Sequence, residues 1–155
     1  MIIIFYRVSN EYTGLALVNS STTPHQDQHI DRLRKHNLRP TRQRVALAEL
    51  LFNGPCRHVS AEQLRLETKA KGIQLSLATI YNTLNQFSRV GLLHEISLDN
   101  NVTYFDTNTD HHHHFFDTKT NDLIDIPKES IALKSLPKAP EGRQVERVDV
   151  VIRLR

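Results

Sequence analysis

At 155 residues, with 39% hydrophobic and 24% charged side chains, the chain can bury one good core or two small ones. Its one cysteine, Cys56, excludes an intrachain disulfide framework and any structural zinc held by four cysteines, which fits a reducing compartment and a cytoplasmic location. No stretch approaches the ~20 apolar residues of a membrane span, and the opening Met1–Tyr6 is too short for a secretory core. The net charge of +3 hides an asymmetry. Residues 27–91 carry 11 Lys and Arg against 5 Asp and Glu, whereas residues 92–155 carry 8 against 11. The basic half suits phosphate backbones and the acidic half suits cations.

Residues 1–25 run from an apolar start to Ser20-Ser21-Thr22-Thr23-Pro24 and read as a poorly ordered leader. Residues 26–36 follow as a short amphipathic helix with Ile30 and Leu33 on one face. Pro40 disfavours helix at Arg39, and Thr41 is a good N-cap for a helix Arg42–Asn53, stopped by Gly54-Pro55. Ser60-Ala61-Glu62-Gln63 is a capping box that opens a helix to about Lys71, closed by Gly72. Ser76 caps a further helix, Leu77 to Val90, closed by Gly91, with Ile80, Leu84 and Phe87 as its buried stripe.

Two strand-like runs come next, Leu92–Leu98 and Val102–Asp106, joined by the turn residues Asp99-Asn100-Asn101. Short helices ending in a hairpin spell a winged helix-turn-helix; a helical bundle with a stray hairpin is the other solution. Asp122–Ile126 is strand-like, and Pro127–Leu136 reads as a helix with Ile131, Leu133 and Leu136 apolar. In the last segment Val148, Val150, Ile152 and Leu154 alternate with Asp149 and Arg153, a half-buried strand. The expected fold class is α+β, with a winged-helix DNA-binding domain over residues 26–106 and a small α/β dimerisation and sensing domain over 107–155. The second unit is too small to stand alone, and a two-fold, sheet-to-sheet homodimer would resolve that.

Four consecutive histidines, His111 to His114, lie deep inside the chain, preceded by Asp110 and followed by Phe115-Phe116. Imidazole is the commonest protein ligand for transition metals and also binds haem iron. On a strand, His112 and His114 would share a face. Upstream, the second helix of a helix-turn-helix enters the major groove, which makes helix 77–90 the candidate reader. Thr79, Tyr81, Asn82 and Asn85 are suited to base edges, and Arg39, Arg42 and Arg44 to phosphates.

These residues resemble a known family. The stretches Arg39-Pro40-Thr41-Arg42-Gln43-Arg44, His58-Val59-Ser60-Ala61-Glu62 and Ser76-Leu77-Ala78-Thr79-Ile80-Tyr81-Asn82-Thr83-Leu84-Asn85 are similar to the ferric uptake regulator superfamily. Tyr104-Phe105-Asp106-Thr107-Asn108, the histidine run and the ending Val150-Val151-Ile152-Arg153-Leu154-Arg155 resemble its iron response regulator branch in particular. The resemblance implies a dimeric winged-helix regulator of iron and haem homeostasis that binds A/T-rich operator DNA, with Tyr81 as a DNA contact.

The resemblance also implies two versions of the sensor. In one, haem binds at His112, His113 and His114, with Phe115 and Phe116 against the porphyrin, and modulates DNA binding. In the other, Fe(II), Mn(II) or Zn(II) is held by His58, Asp106, His112, His114 and Asp125. The haem version leads and the divalent-cation version is the alternative. Where many relatives carry Cys-x-x-Cys pairs, this chain has Asp117-Thr118-Lys119-Thr120, and Cys56 is expected to be a small packing residue. A metalloenzyme lacks a convincing acid–base constellation here, and a non-DNA interaction module leaves the helix-turn-helix unexplained.

Overall fold

The computed structural model describes residues 24–98 and 102–155, so residues 1–23 and the turn expected at Asp99–Asn101 lie outside the described residues. The fold is α+β. Helix α1 spans Pro24–Lys35, α2 Arg42–Phe52, α3 Ala61–Ala70 and α4 Leu77–Arg89. Each of the last three starts where the sequence places a cap. Thr41 Oγ1 accepts from the Arg44 N–H and Ser76 Oγ from that of Thr79, and Ser60 and Gln63 complete a reciprocal capping box. Gly72 and Gly91 take positive φ, +73° and +75°, where α3 and α4 end.

Leu33, Leu47, Leu51, Leu64, Ile80, Leu84 and Phe87 bury their side chains together beneath the four helices. Burying a side chain of this size contributes roughly 1.5–3 kcal/mol. Two polar contacts fix α1 to this core: His29 Nε2 lies 2.7 Å from Asn53 Oδ1 and His36 Nδ1 donates to Val90 O at 2.9 Å.

Two three-stranded sheets complete the molecule. The first has the order β1-β3-β2, with β1 at His58–Ser60, β2 at His94–Ser97 and β3 at Thr103–Asp106, all antiparallel. Its Val59 and Phe105 form a cross-strand pair that faces the helices. Period-two alternation sends Tyr104 and Asp106 to the other face. The second sheet has the order β5-β4-β6, with β4 at His112–Asp117, β5 at Asp122–Pro127 and β6 at Val151–Leu154. β5 runs antiparallel to β4 and β6 runs parallel to it. The sheets meet over a small apolar cluster of two cross-strand pairs, Ile96 with Tyr104 and Phe116 with Leu123. The Tyr104 and Phe116 rings stand 6.1 Å apart at 61°.

The structure corrects the sequence reading in the C-terminal part. There is no helix over Pro127–Leu136. β5 runs to Pro127 and a single 3-10 turn, Lys128–Ser130, follows without a side-chain cap. Ile131, Leu133 and Leu136 are spaced by two and three, which does not build one helical face, and Leu133 and Leu136 are half exposed. The last strand is shorter than the alternation suggested, and its faces differ. Val151 packs on the Tyr104–Phe116 cluster while Ile152 is 39% exposed. Cys56 is exposed, so it is not a packing residue.

Candidate metal centre

Strand register builds the site. His58 and Asp106 are directly opposed across β1 and β3, and His114 and Asp125 across β4 and β5. His112 lies two residues before His114 and shares its face. The first sheet thus contributes two side chains and the second contributes three. One ligand atom from each of the five lies within 4.8 Å of all the others.

The distances show donors converging on one point. Asp106 Oδ2 lies 2.9 Å from His112 Nε2, 3.4 Å from His58 Nε2 and 3.5 Å from His114 Nε2. Asp125 Oδ1 lies 3.0 Å from His58 Nε2 and 3.5 Å from His112 Nε2. His112 Nδ1 is 2.7 Å from the Asp110 carbonyl. A carbonyl only accepts, so Nδ1 donates there, and the ring turns its Nε2 into the cluster as the atom available to a cation. His58 Nε2 and Asp106 Oδ2 are buried without a well-formed hydrogen bond among the described residues. Orphaned polar atoms of this kind are what a bound cation would satisfy. Burial raises the Asp106 pKa, but the His114 and His58 imidazoles beside it outweigh that and hold the carboxyl far below the ordinary carboxylate range. Three imidazole nitrogens and two carboxylate oxygens suit Fe(II), Mn(II) or Zn(II). The residues present fit a divalent cation.

The carboxylates are themselves held. The Asn108 N–H donates to Asp106 Oδ1 at 2.8 Å and its side-chain amide donates to Asp125 Oδ2 at 3.1 Å. Sequence reasoning missed Asn108. Its signal was the alternation Asp106-x-Asn108-x-Asp110, in which short polar side chains turn the backbone back on itself.

The structure divides the three histidines expected to hold haem. His112 and His114 face the cluster, while His113 points to the opposite face, where its Nδ1 accepts from the Val150 N–H at 3.3 Å. All three are buried, and the exposed member of the run is His111. His111 and His94 line a cleft of about 810 Å³ with Leu133, Leu136, Val145 and Arg147. Burial and the Arg147 charge lower the His94 pKa, and burial together with the neighbouring His111 lowers that of His113.

On α4, Ala78, Asn82, Asn85 and Arg89 are exposed at spacings of four and three, opposite the buried Ile80, Leu84 and Phe87. Arg39 and Arg42 are exposed nearby in the chain. Three of the residues expected on DNA already have partners. Arg44 donates to Gln86 Oε1 at 2.7 and 3.1 Å and to the Arg39 carbonyl at 2.7 Å, tying α2 to α4. Tyr81 donates to Glu62 at 3.0 Å, and Thr79 Oγ1 lies 2.8 Å from Ser76 Oγ at the cap.

The ferric uptake regulator family model matches residues 35–154. The chain belongs to the ferric uptake regulator family. The ferric uptake regulation protein of Yersinia pestis is 33% identical over 100 residues, which cover 64% of this chain and 68% of that protein. The ferric uptake regulator of Pseudomonas aeruginosa, solved with manganese, has a TM-score of 0.63 at 25% identity, over 82% of this chain and 96% of that one. The regulator of Vibrio cholerae shares the fold, with a TM-score of 0.65 at 23% identity over 81% and 98% of the two chains. The ferric uptake regulator fold pairs an N-terminal DNA-binding domain with a C-terminal dimerisation domain. The chain is therefore a metal-responsive transcriptional regulator and not an enzyme. Among the described residues, no helix is long and apolar enough to cross a membrane.

Proposed function

We propose that this regulator reads divalent cation through His58, Asp106, His112, His114 and Asp125, and that the occupied cluster fixes the angle between the DNA-reading helices and the dimerisation sheet. The observation that supports this most is the split origin of the ligands: two come from the sheet packed on the helices and three from the second sheet. A bound cation supplies positive charge that five inward-facing donors share. His58 sits two residues before the Ser60 cap of α3, so its position is transmitted to that helix. The domain division is residues 26–106 for DNA and 107–155 for the dimer.

In this reading α4 enters the major groove of an A/T-rich operator. Asn82 and Asn85 reach adenine edges, Tyr81 packs on a thymine methyl, Thr79 lies at the leading end, and Arg39 and Arg42 clamp phosphates. Arg44 acts by holding α2 and α4 in register. The homodimer forms on the outer face of the second sheet. There Ile124, Phe115 and Ile152 make one cross-strand row, with Ile124 and Ile152 exposed.

A second reading is haem sensing, the property of the iron response regulator branch. The amphipathic cleft beside His94 and His111 favours it, because a porphyrin needs apolar walls and an axial imidazole. His112 and His114 face the cation cluster and not this cleft, so haem coordination by either would withdraw a ligand from the cluster and release the two sheets.

The deciding experiment is mobility shift on a pool of A/T-rich duplexes, titrated separately with Mn(II), Fe(II), Zn(II) and haem. The cation reading expects a cation to raise DNA affinity in the wild-type chain and not in His114→Ala. A response to haem alone overturns it in favour of the second reading.

A further inference from the structure

We propose that Asn108 is the positioning residue that sets cation selectivity at this cluster, because it turns one oxygen of each carboxylate away from the ligand point. The inference rests on the cation reading above. Asp106 and Asp125 come from different sheets, yet each gives one oxygen to Asn108: Oδ1 of Asp106 to its backbone N–H and Oδ2 of Asp125 to its amide. The remaining oxygens, Asp106 Oδ2 and Asp125 Oδ1, are the two that face the imidazoles. The amide orientation is fixed from both ends, because Asn108 Oδ1 accepts the Asp110 N–H at 3.2 Å.

A carboxylate can ligate through one oxygen or two. An oxygen held by an N–H donor is turned outward, so each Asp offers a single atom. With each Asp held to one atom the site offers at most five donors, close to the roughly four or five short-range ligands that Zn(II) takes. Mn(II) is better matched by a site richer in oxygen. The two carboxylates are not equally free. Asp106 is fully buried, and its bond to the Asn108 backbone survives any side-chain change. The Asp125 side chain is 37% exposed and depends on the Asn108 amide. Loss of that amide lets Asp125 swing and present both oxygens, which favours Mn(II) over Zn(II).

The test uses the full chain, with Zn(II) and Mn(II) competition titrations and the visible spectrum of the Co(II) form. Asn108→Ala removes the amide; Asn108→Ser removes its reach to Asp125 and keeps an acceptor for the Asp110 N–H. In both variants Zn(II) affinity is expected to fall about 10–100-fold, the range for lost second-layer contacts at metal sites. Mn(II) affinity falls less, so the Zn/Mn preference narrows, and the Co(II) bands shift. Asp125→Ala then costs less Zn(II) affinity in the Asn108→Ala background than alone. An unchanged Zn/Mn preference with an additive cycle overturns the proposal, and Asn108→Ser decides if Asn108→Ala does not fold. A wild-type chain that binds neither ion overturns the cation reading itself, a result distinct from normal wild-type binding with indifferent variants.

Discussion

His58 and Asp106 face each other across β1 and β3, with His58 Nε2 3.4 Å from Asp106 Oδ2. This pair is the share of the cluster supplied by the sheet that packs on the helices. The other three ligands close around it from the second sheet. Removing His58 therefore separates binding from signalling. His58→Ala is expected to retain weakened Mn(II) binding through the four remaining ligands, while the effect of Mn(II) on DNA affinity falls more steeply, because Asp106 alone then ties the helix-packed sheet to the cation. Effector couplings are typically about 5–150-fold. Isothermal titration against Mn(II), paired with mobility shift, checks both halves; full coupling in the variant would place the signal elsewhere.

The reading face of α4 makes a different prediction. Asn85→Ala should cost about 1–3 kcal/mol of discrimination at one base position, as for a lost bidentate contact. Arg42→Ala should weaken all duplexes alike and reduce the slope of log affinity against log salt by about 1. Affinity measured at several salt concentrations separates the two. If both variants change only the salt slope, α4 does not read bases.

The outer row of the second sheet should govern assembly. Ile124→Glu places a charge at the end of the Ile124–Phe115–Ile152 row. It should yield a monomer in sedimentation analysis with the helical circular dichroism signal intact. A variant that remains dimeric moves the interface off this face.

Stability of the metal-free chain should depend on pH near neutrality. The pKa values of His94 and His113 lie below their ordinary 6.5 in the folded state, chiefly through burial. The unfolded chain therefore takes up protons first as pH falls. The stability gained from holding these rings neutral is complete above 6.5 and is lost progressively as pH drops from there through the folded values. Urea unfolding of metal-free protein at pH 7.5 and 5.5 should show the lower midpoint in acid, and His113→Gln should narrow the difference. Equal or greater narrowing by a substitution of exposed His111 would contradict this assignment.

Much of the fold is legible in the sequence because local chemistry decides it. Thr41, Ser60 and Ser76 mark helix starts with side-chain oxygens, and all three caps are in place. His112 and His114 share a face because period two admits nothing else on a strand. β1 is not legible. At three residues, His58–Ser60, it is too short to show alternation, and its Ser60 belongs also to the α3 cap. Pro127–Leu136 misleads because three apolar residues, Ile131, Leu133 and Leu136, suggest a buried helix without helical spacing, and Leu133 and Leu136 are half exposed. Arg44 reads as a phosphate clamp in sequence because its partner Gln86 lies 42 residues away, beyond any local pattern.

The register of β4 makes parity, and not histidine content, the property that matters. Phe116 is anchored opposite Leu123, and His112 and His114 sit an even number of positions before it. A homologous chain whose four histidines are shifted one position towards that phenylalanine would still turn two imidazoles inward. Shifted one position away from it, the run would leave the place of His114 empty of imidazole. A search for working sensors among such chains should therefore count positions back from the buried aromatic residue before it counts histidines.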